Sequence, residues 1–323
     1  MNFNELNKNG LVECFAVVKK CDRKVSSKGG AYLDLILADN EGEISAKLWD
    51  YHENTHGSYD IDSFVKVRGT LSQYNGADQL RIERIRPVCA ADGVNIDDYV
   101  QHAGYSGEYM LGKIEEKIND FSDTDLKLLV STIIERNREK LLYWPAAYRL
   151  HHAIRGGLLM HTLSIVKLCE GVCEIYPFVN KDLLIAGAIL HDIAKTKEYE
   201  VGETGIASGY SVEGNLIGHL VMGAIMVRET AVELDTPPKT AMLLEHMLIS
   251  HHGEPEFGAA VRPLFLEAEL LSELDSMDAR VYQIHEAINS TSEDGFSNKL
   301  WALDNRKMYN HGMSDIKKEV NLD

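Results

Sequence analysis

No apolar run in this 323-residue chain approaches the ~18–20 residues that a membrane-spanning helix needs. The start, MNFNELNKNG, lacks the charged-then-apolar pattern of a secretion signal. Cysteine is scarce. Cys14, Cys21, Cys89, Cys169 and Cys173 are scattered and odd in number, which argues against a disulfide scaffold. There is no internal repeat and no low-complexity tract. The expectation is a soluble protein of the reducing cytoplasm that does not use a membrane. Basic residues are also short, 33 Lys+Arg against 50 Asp+Glu, for a net charge of −17. Residues 1–95 hold 12 against 14, and residues 96–323 hold 21 against 36. The bulk field of such a surface does not attract a long polyanion, so any nucleic acid must be held locally by a cleft, a stacking surface or bound cations.

Apolar residues make up 45% of the chain, enough for a substantial core, and the length suits two domains or one large one. The first 95 residues read as short strands. Residues 11–20 form a β-rich run, and the polar CDRKVSSKGG that follows reads as a turn. In AYLDLILAD, Leu33, Leu35 and Leu37 share one face, with Tyr32 and Asp34 on the other. NEGE is a hairpin turn, EISAKLWD a strand, 63–71 another, and Tyr74-Asn75-Gly76 a turn into QLRIERIRPV. Five strands at this spacing predict a small closed barrel in the order of an OB-fold. Residues 92–108 are polar and contain glycine, a linker pattern. From Tyr109 onward the texture is helical, with helices expected at 110–118, 125–142, 158–176, 182–196, 215–234, 238–250 and 263–289. The tail from Asp304 is polar and reads as peripheral. The predicted fold class is β plus α, a five-stranded barrel followed by an all-α domain.

Five features stand out in the helical part: His161 in RGGLLMHTLS, His191-Asp192 in AILHDIAK, His219 in NLIGHLVMGA, His251-His252 in LISHHGE, and Asp275 in LLSELDSMDAR. Each lies in strongly apolar sequence, where an imidazole or carboxylate is costly without a partner. Such groups on separate helices facing one interior are how helical bundles build metal sites. Nitrogen and carboxylate oxygen together suit Mn²⁺, Fe²⁺, Co²⁺ or Zn²⁺, and the lack of a cysteine cluster argues against a thiolate zinc site. Asp192 has two oxygens and can bridge two cations, an arrangement that recurs in phosphate-ester hydrolysis.

The order His, His-Asp, His, His-His, Asp resembles the HD-domain metal-dependent phosphohydrolases. PAAYRLHHAIRGGLLMHTLS, AILHDIAKTKEY, LISHHGEPEFGAAVRP and EAELLSELDSMDAR, behind an OB-like barrel, are similar more closely to the YhaM-type 3′→5′ exoribonucleases over essentially the whole chain. One departure is Met160, where many relatives carry glutamate. The resemblance implies an OB-fold nucleic-acid-binding domain at 1–95, linker and connecting helices at 96–145, an HD domain at 146–310 and a polar tail at 311–323. It implies exonucleolytic hydrolysis of single-stranded RNA, and also of single-stranded DNA, to 5′-nucleoside monophosphates by a water activated by two divalent metal ions. Mn²⁺ is the foremost choice, with Co²⁺, Fe²⁺ or Zn²⁺ as others, and relatives suggest a homo-oligomer. One metal is expected on His161, His191, Asp192 and Asp275, the other on Asp192, His219 and one or both of His251 and His252. Asp278, one turn after Asp275, competes for the last position.

Lys195, three residues after Asp192, shares its side of a helix and is expected to neutralise a phosphate oxygen or protonate a leaving group; the bland alternative is a solvated helix-end lysine. Arg155 at a helix start, with His152 and its neighbour His151, is a candidate phosphate grip. In the barrel, Tyr32, Lys47, Trp49, Tyr74 and Arg81 are the candidates for holding a strand by stacking beside positive charge; Trp49 could equally pack against other protein. A second enzymatic reading is an HD phosphodiesterase or nucleotidase acting on cyclic or small nucleotides. A third is a binding module without activity.

Overall fold

The computed structural model describes residues 3, 10–27, 29–40, 42–74, 77–148, 152–318 and 320–323, the side chain of Tyr74 excepted. It divides into two compact units, Met1–His102 with Val201–Ser208, and Ala103–Glu200 with Gly209–Asp323.

The first unit is built on a closed barrel of β1 (Leu11–Val25), β2 (Ala31–Ala38), β3 (Glu43–Leu48), β4 (Phe64–Tyr74) and β5 (Ala77–Pro87), with the single turn α1 (Glu53–His56) between β3 and β4. The strands follow the order β1-β2-β3-β5-β4, and β4 returns to β1. All pairs are antiparallel except β3 with β5. Alternation sets the interior: Leu33, Leu35, Leu37, Ala46, Val65, Val67 and Leu80 are buried together. Gly69 sits at the register shift in β4, where a Cβ would lie 2.2 Å from the Arg81 carbonyl oxygen. The turn expected across CDRKVSSKGG is shorter than the sequence indicates. β1 continues through Val25 because Cys21–Val25 still find ladder partners in Ala31–Leu35. The polar side chains there pair outside the barrel, Lys24 with Asp34 at 2.5 Å.

The second unit is helical: α2 (Gly107–Asn119), α3 (Thr124–Leu141), α4 (Gly157–Ile175), α5 (Lys181–Leu190), α6 (Lys195–Glu198), α7 (Val212–Leu216), α8 (His219–Glu233), α9 (Pro238–Ser250) and α10 (Leu266–Asn289). The strands β6 (Tyr199–Val201) and β7 (Ala207–Tyr210) form a hairpin between α6 and α7. The sequence KDLLIAGAIL is apolar on all sides, and α5 accordingly lies at the centre, packed against α2, α3, α4, α9 and α10. Asn180 caps it by accepting from the Leu183 amide at 3.0 Å.

The helix expected over 182–196 stops at Leu190. Beyond it the amides of Ile193, Lys195 and Thr196 donate to carbonyls three residues back, so the chain tightens into turns before α6. The helix expected over 215–234 is broken at Gly218, whose φ of +77° no L-residue adopts cheaply. The tail is not peripheral throughout. Residues 296–309 fold into a small hairpin with bridges Phe296–Tyr309 and Leu300–Arg306, and Leu322 is buried, its amide donating to Tyr105 Oη. Polar composition concealed both, because they need only a few apolar anchors. Among the described residues no helix is long and apolar enough to cross a membrane.

Candidate metal centre and nucleic-acid face

Five elements deliver the imidazoles and carboxylates to one place. His161 is one turn into α4, His191 and Asp192 follow α5, and His219 opens α8. His251 and His252 follow α9, and Asp275 lies within α10. The Gly156-Gly157 pair sets the start of α4. Gly156 has φ +74°, and a Cβ on Gly157 would lie 2.0 Å from the His152 carbonyl oxygen. That close approach is a backbone reason for the RGG sequence.

Asp192 is the hub. Its Oδ2 lies 3.3 Å from His191 Nε2 and 3.7 Å from His161 Nε2. Its Oδ1 lies 3.4 Å from His219 Nε2 and 3.7 Å from His251 Nε2. Lys195 Nζ donates to Oδ2 at 2.6 Å. Asp275 Oδ1 lies 3.1 Å from His161 Nε2. Asp278 is on the other side of that ring, 2.7 Å from Nδ1, and also 3.0 Å from His152 Nε2.

Four imidazoles of the group are oriented the same way. The Nδ1 atoms of His191, His251 and His252 lie 2.8 Å from the carbonyl oxygens of Ala188, Leu248 and Phe257. His219 Nδ1 lies 2.9 Å from Glu198 Oε1. A carbonyl oxygen only accepts, so Nδ1 carries the proton and Nε2 presents a lone pair inward. Metal-binding histidines are held in this manner.

Charge follows the same plan. Burial, then the neighbouring His252 and His191, push His251 well below the ordinary imidazole pKa. His252 is lowered by burial and then by His219. Burial opposes a charge on His161, but Asp275 and Asp278 on its two nitrogens outweigh it and raise its pKa to about 10. Burial would raise the Asp192 carboxyl; Lys195 and then His191 outweigh it and hold it well below its usual range.

The residues fit a divalent cation. Asp192 Oδ1, His219 Nε2 and His251 Nε2 are buried without a hydrogen-bond partner among the described residues, at a cost of about 1–3 kcal/mol for each group so left. Three acceptors converging in one interior are what a bound cation would satisfy. The sets His161–His191–Asp192 and His219–His251–His252 each bring their ligand atoms within 4.8 Å of one another.

On the barrel, Tyr32 and Trp49 stack at 4.5 Å between centroids, and Lys47 Nζ lies 5.1 and 5.7 Å from their rings. Arg81 is in register with Lys47 and exposed. Tyr74 ends β4, and its side chain lies outside the described residues.

Residues 158–280 match the HD domain, and residues 14–88 match an OB-fold nucleic acid binding domain. The 3′-5′ exoribonuclease YhaM of Listeria welshimeri is 35% identical over 299 residues, which cover 93% of this chain and 95% of that protein. The chain belongs to the YhaM 3′-5′ exoribonuclease family. The Bacillus subtilis YhaM is 32% identical over 298 residues, 92% of this chain and 94% of its own. Among solved structures, the second OB-fold domain of replication protein A from Methanococcus maripaludis aligns with 27% of this chain and 93% of its own, at 19% identity and a TM-score of 0.24. The HD domain of a YhaM-family chain, with the His/Asp clusters described, carries a divalent-metal dependence.

Two of the expected substrate contacts stand away from the cavity over the candidate metal centre. Arg155 lies over the Tyr143 ring at 5.2 Å and is not among the residues lining that cavity. His152 is buried against Tyr282 and Asp278, on the far side of His161. His151 lies outside the described residues. Lys195 does line the cavity.

Glu198 escaped the sequence reading, because in AKTKEYE it looks like one more solvated helix-end charge. It is buried and accepts from both the amide and Nδ1 of His219. Glu198→Gln is expected to raise the Mn²⁺ concentration needed for half-maximal activity about 10- to 100-fold. An unchanged requirement would leave Glu198 as a cap on α8 only.

Proposed function

We propose that this chain hydrolyses single-stranded RNA from the 3′ end, one 5′-nucleoside monophosphate at a time, at a centre of two divalent cations. His161, His191, Asp192 and Asp275 would hold one cation. Asp192, His219 and one or both of His251 and His252 would hold the other. The observation that supports the reading is the Asp192 carboxylate, one oxygen facing each group of imidazoles, with the Nε2 atoms of His191, His219, His251 and His252 turned inward. Mixed imidazole and carboxylate donors suit Mn²⁺, Fe²⁺, Co²⁺ or Zn²⁺, of which the family resemblance favours Mn²⁺; such ions would neutralise phosphate oxygens and lower the pKa of the attacking water.

The protein's own share is orientation and charge. Asp192 fixes the spacing of the two ligand groups. Lys195, held against Asp192, offers its ammonium to a non-bridging phosphate oxygen. Water oxygen bonds to phosphorus, the P–O3′ bond breaks, and O3′ of the shortened chain takes the proton. The groups these residues would address, phosphate oxygens and the leaving O3′, are common to RNA and DNA, which supports single-stranded DNA as an additional substrate. The polyanion reaches an acidic protein through local features, the bound cations and the Tyr32–Lys47–Trp49 cluster of the barrel.

Short RNA labelled at either end tests the reading in the presence of Mn²⁺. The 3′ label should leave at once as a mononucleotide, and the 5′ label should shorten as a ladder. Shortening from the 5′ end, or internal cuts, would overturn the proposed polarity. On the barrel, Trp49→Ala is expected to weaken single-strand binding about 5- to 150-fold, the equivalent of one lost stacked base, as measured by filter binding.

A further inference from the structure

The cavity that holds Asp192, Lys195 and Asp275 has a volume of about 880 Å³ and is also lined by Tyr210, Phe257, Trp301 and Arg280. Single exposed aromatics are ordinary on protein surfaces. Here Trp301 and Phe257 are each 71% exposed and Tyr210 is 44% exposed, and all three belong to one cavity containing the candidate metal centre.

The rings are supported. Tyr210 packs edge-on to Tyr199 at 5.2 Å and to Tyr148 at 5.9 Å. Trp301 opens a 3-10 turn within the hairpin of residues 296–309, turned by Asp304 and Asn305 in left-handed conformation. Asn310, at its foot, donates from Nδ2 to the carbonyl oxygens of Ile288 and Thr291 at the end of α10. Arg280 lies five residues beyond Asp275 on α10, about 7.5 Å further along the axis. It is exposed and forms no ion pair among the described residues. An aromatic face and a guanidinium lining one cavity are the kinds of group that single-strand sites use for a base and its phosphate.

We propose that Trp301 and Arg280 form the subsite for the penultimate nucleotide, Trp301 stacking on its base and Arg280 pairing with its phosphate. This rests on the exonuclease reading above. It names what the site selects, an unpaired 3′ end whose next base is free to stack. A base within a duplex is already covered by its neighbours and cannot use Trp301.

The test is steady-state kinetics with Mn²⁺ on short RNAs carrying a normal or an abasic penultimate residue, using the full chain and its Trp301→Ala, Trp301→Phe and Arg280→Gln variants. Trp301→Ala should raise KM on normal RNA about 5- to 150-fold, more than it lowers kcat, and Trp301→Phe should recover most of the loss. The abasic substrate should penalise the wild type by a similar factor and Trp301→Ala hardly further. Arg280→Gln should raise KM and flatten its salt dependence. Wild-type KM in Trp301→Ala, or an undiminished abasic penalty in that variant, overturns the subsite while leaving the exonuclease reading intact. No nucleotide release from normal RNA by the wild type overturns both.

Discussion

Asp192→Asn is expected to lower the rate of 3′-terminal nucleotide release by about a thousandfold or more, while the chain stays folded. The change is nearly isosteric but removes a charge that faces both groups of imidazoles. Loss of a single well-placed electrostatic contact in an active site already costs roughly 10²–10³ in rate, and Asp192 serves two ligand groups at once. Asparagine is the informative substitution. Asp192→Ala would leave Lys195, itself 7% exposed, as a buried ammonium without its partner. Breaking a buried pair in that way costs about 3–5 kcal/mol, so inactivity in the alanine variant could reflect unfolding. The asparagine carbonyl can still accept from Lys195. Circular dichroism and the melting temperature check the fold, and metal analysis after gel filtration checks the loss of bound cation. Near-wild-type turnover in a folded Asp192→Asn would remove Asp192 from the chemistry.

Chelation is expected to have the other large effect. Dialysis against EDTA should abolish turnover, and added Mn²⁺ should restore it. The same treatment should change stability, because the cation binds the folded chain and not the unfolded one. With Mn²⁺ at about a hundred times its dissociation constant the stabilisation is about 2.7 kcal/mol, which corresponds to a rise in melting temperature of several degrees for a domain of this size. The rise should shrink sharply in Asp192→Asn. Calorimetric titration should find two cations per chain. A stoichiometry of one would sink the paired-cation proposal, and activity surviving exhaustive chelation would sink the metal dependence itself.

The barrel was legible because alternation in a strand is a local signal. Leu33, Leu35 and Leu37 alternate with Tyr32, Asp34 and Ile36, and the structure buries the first set. The extension of β1 through Val25 was not legible. Cys21–Val25 are polar and mostly exposed, and their strand conformation comes from pairing with Ala31–Leu35 across the turn. Likewise the apolar run through His191 and Ile193 has no local mark showing that the helix ends at Leu190, because tight turns and α-helix have similar periodicity over four residues.

The histidines and aspartates of the centre were legible as a set because imidazoles and carboxylates in apolar sequence are costly without partners. Which of them stand close to which was not derivable from spacing, since it depends on how α4, α5, α8, α9 and α10 pack. Asp275 and Asp278 are one turn apart on α10 and near-equivalent in sequence. In the structure Asp275 faces the inner nitrogen of His161 and Asp278 the outer one. Glu198 and Trp301 were invisible for a related reason: a carboxylate in a charged stretch and a tryptophan in a polar tail both look solvated until distant backbone packs around them.

What the residues alone determined is the inventory, an alternating barrel followed by apolar helices that each carry an imidazole or carboxylate. Periodicity and the cost of burying polar groups are local properties, readable along the chain. What only the tertiary structure decided is direction: which oxygen of Asp192 meets which imidazole, which aspartate stands inside, and which aromatic rings reach the cavity. Direction depends on angles between elements far apart in sequence, and no local pattern encodes those angles.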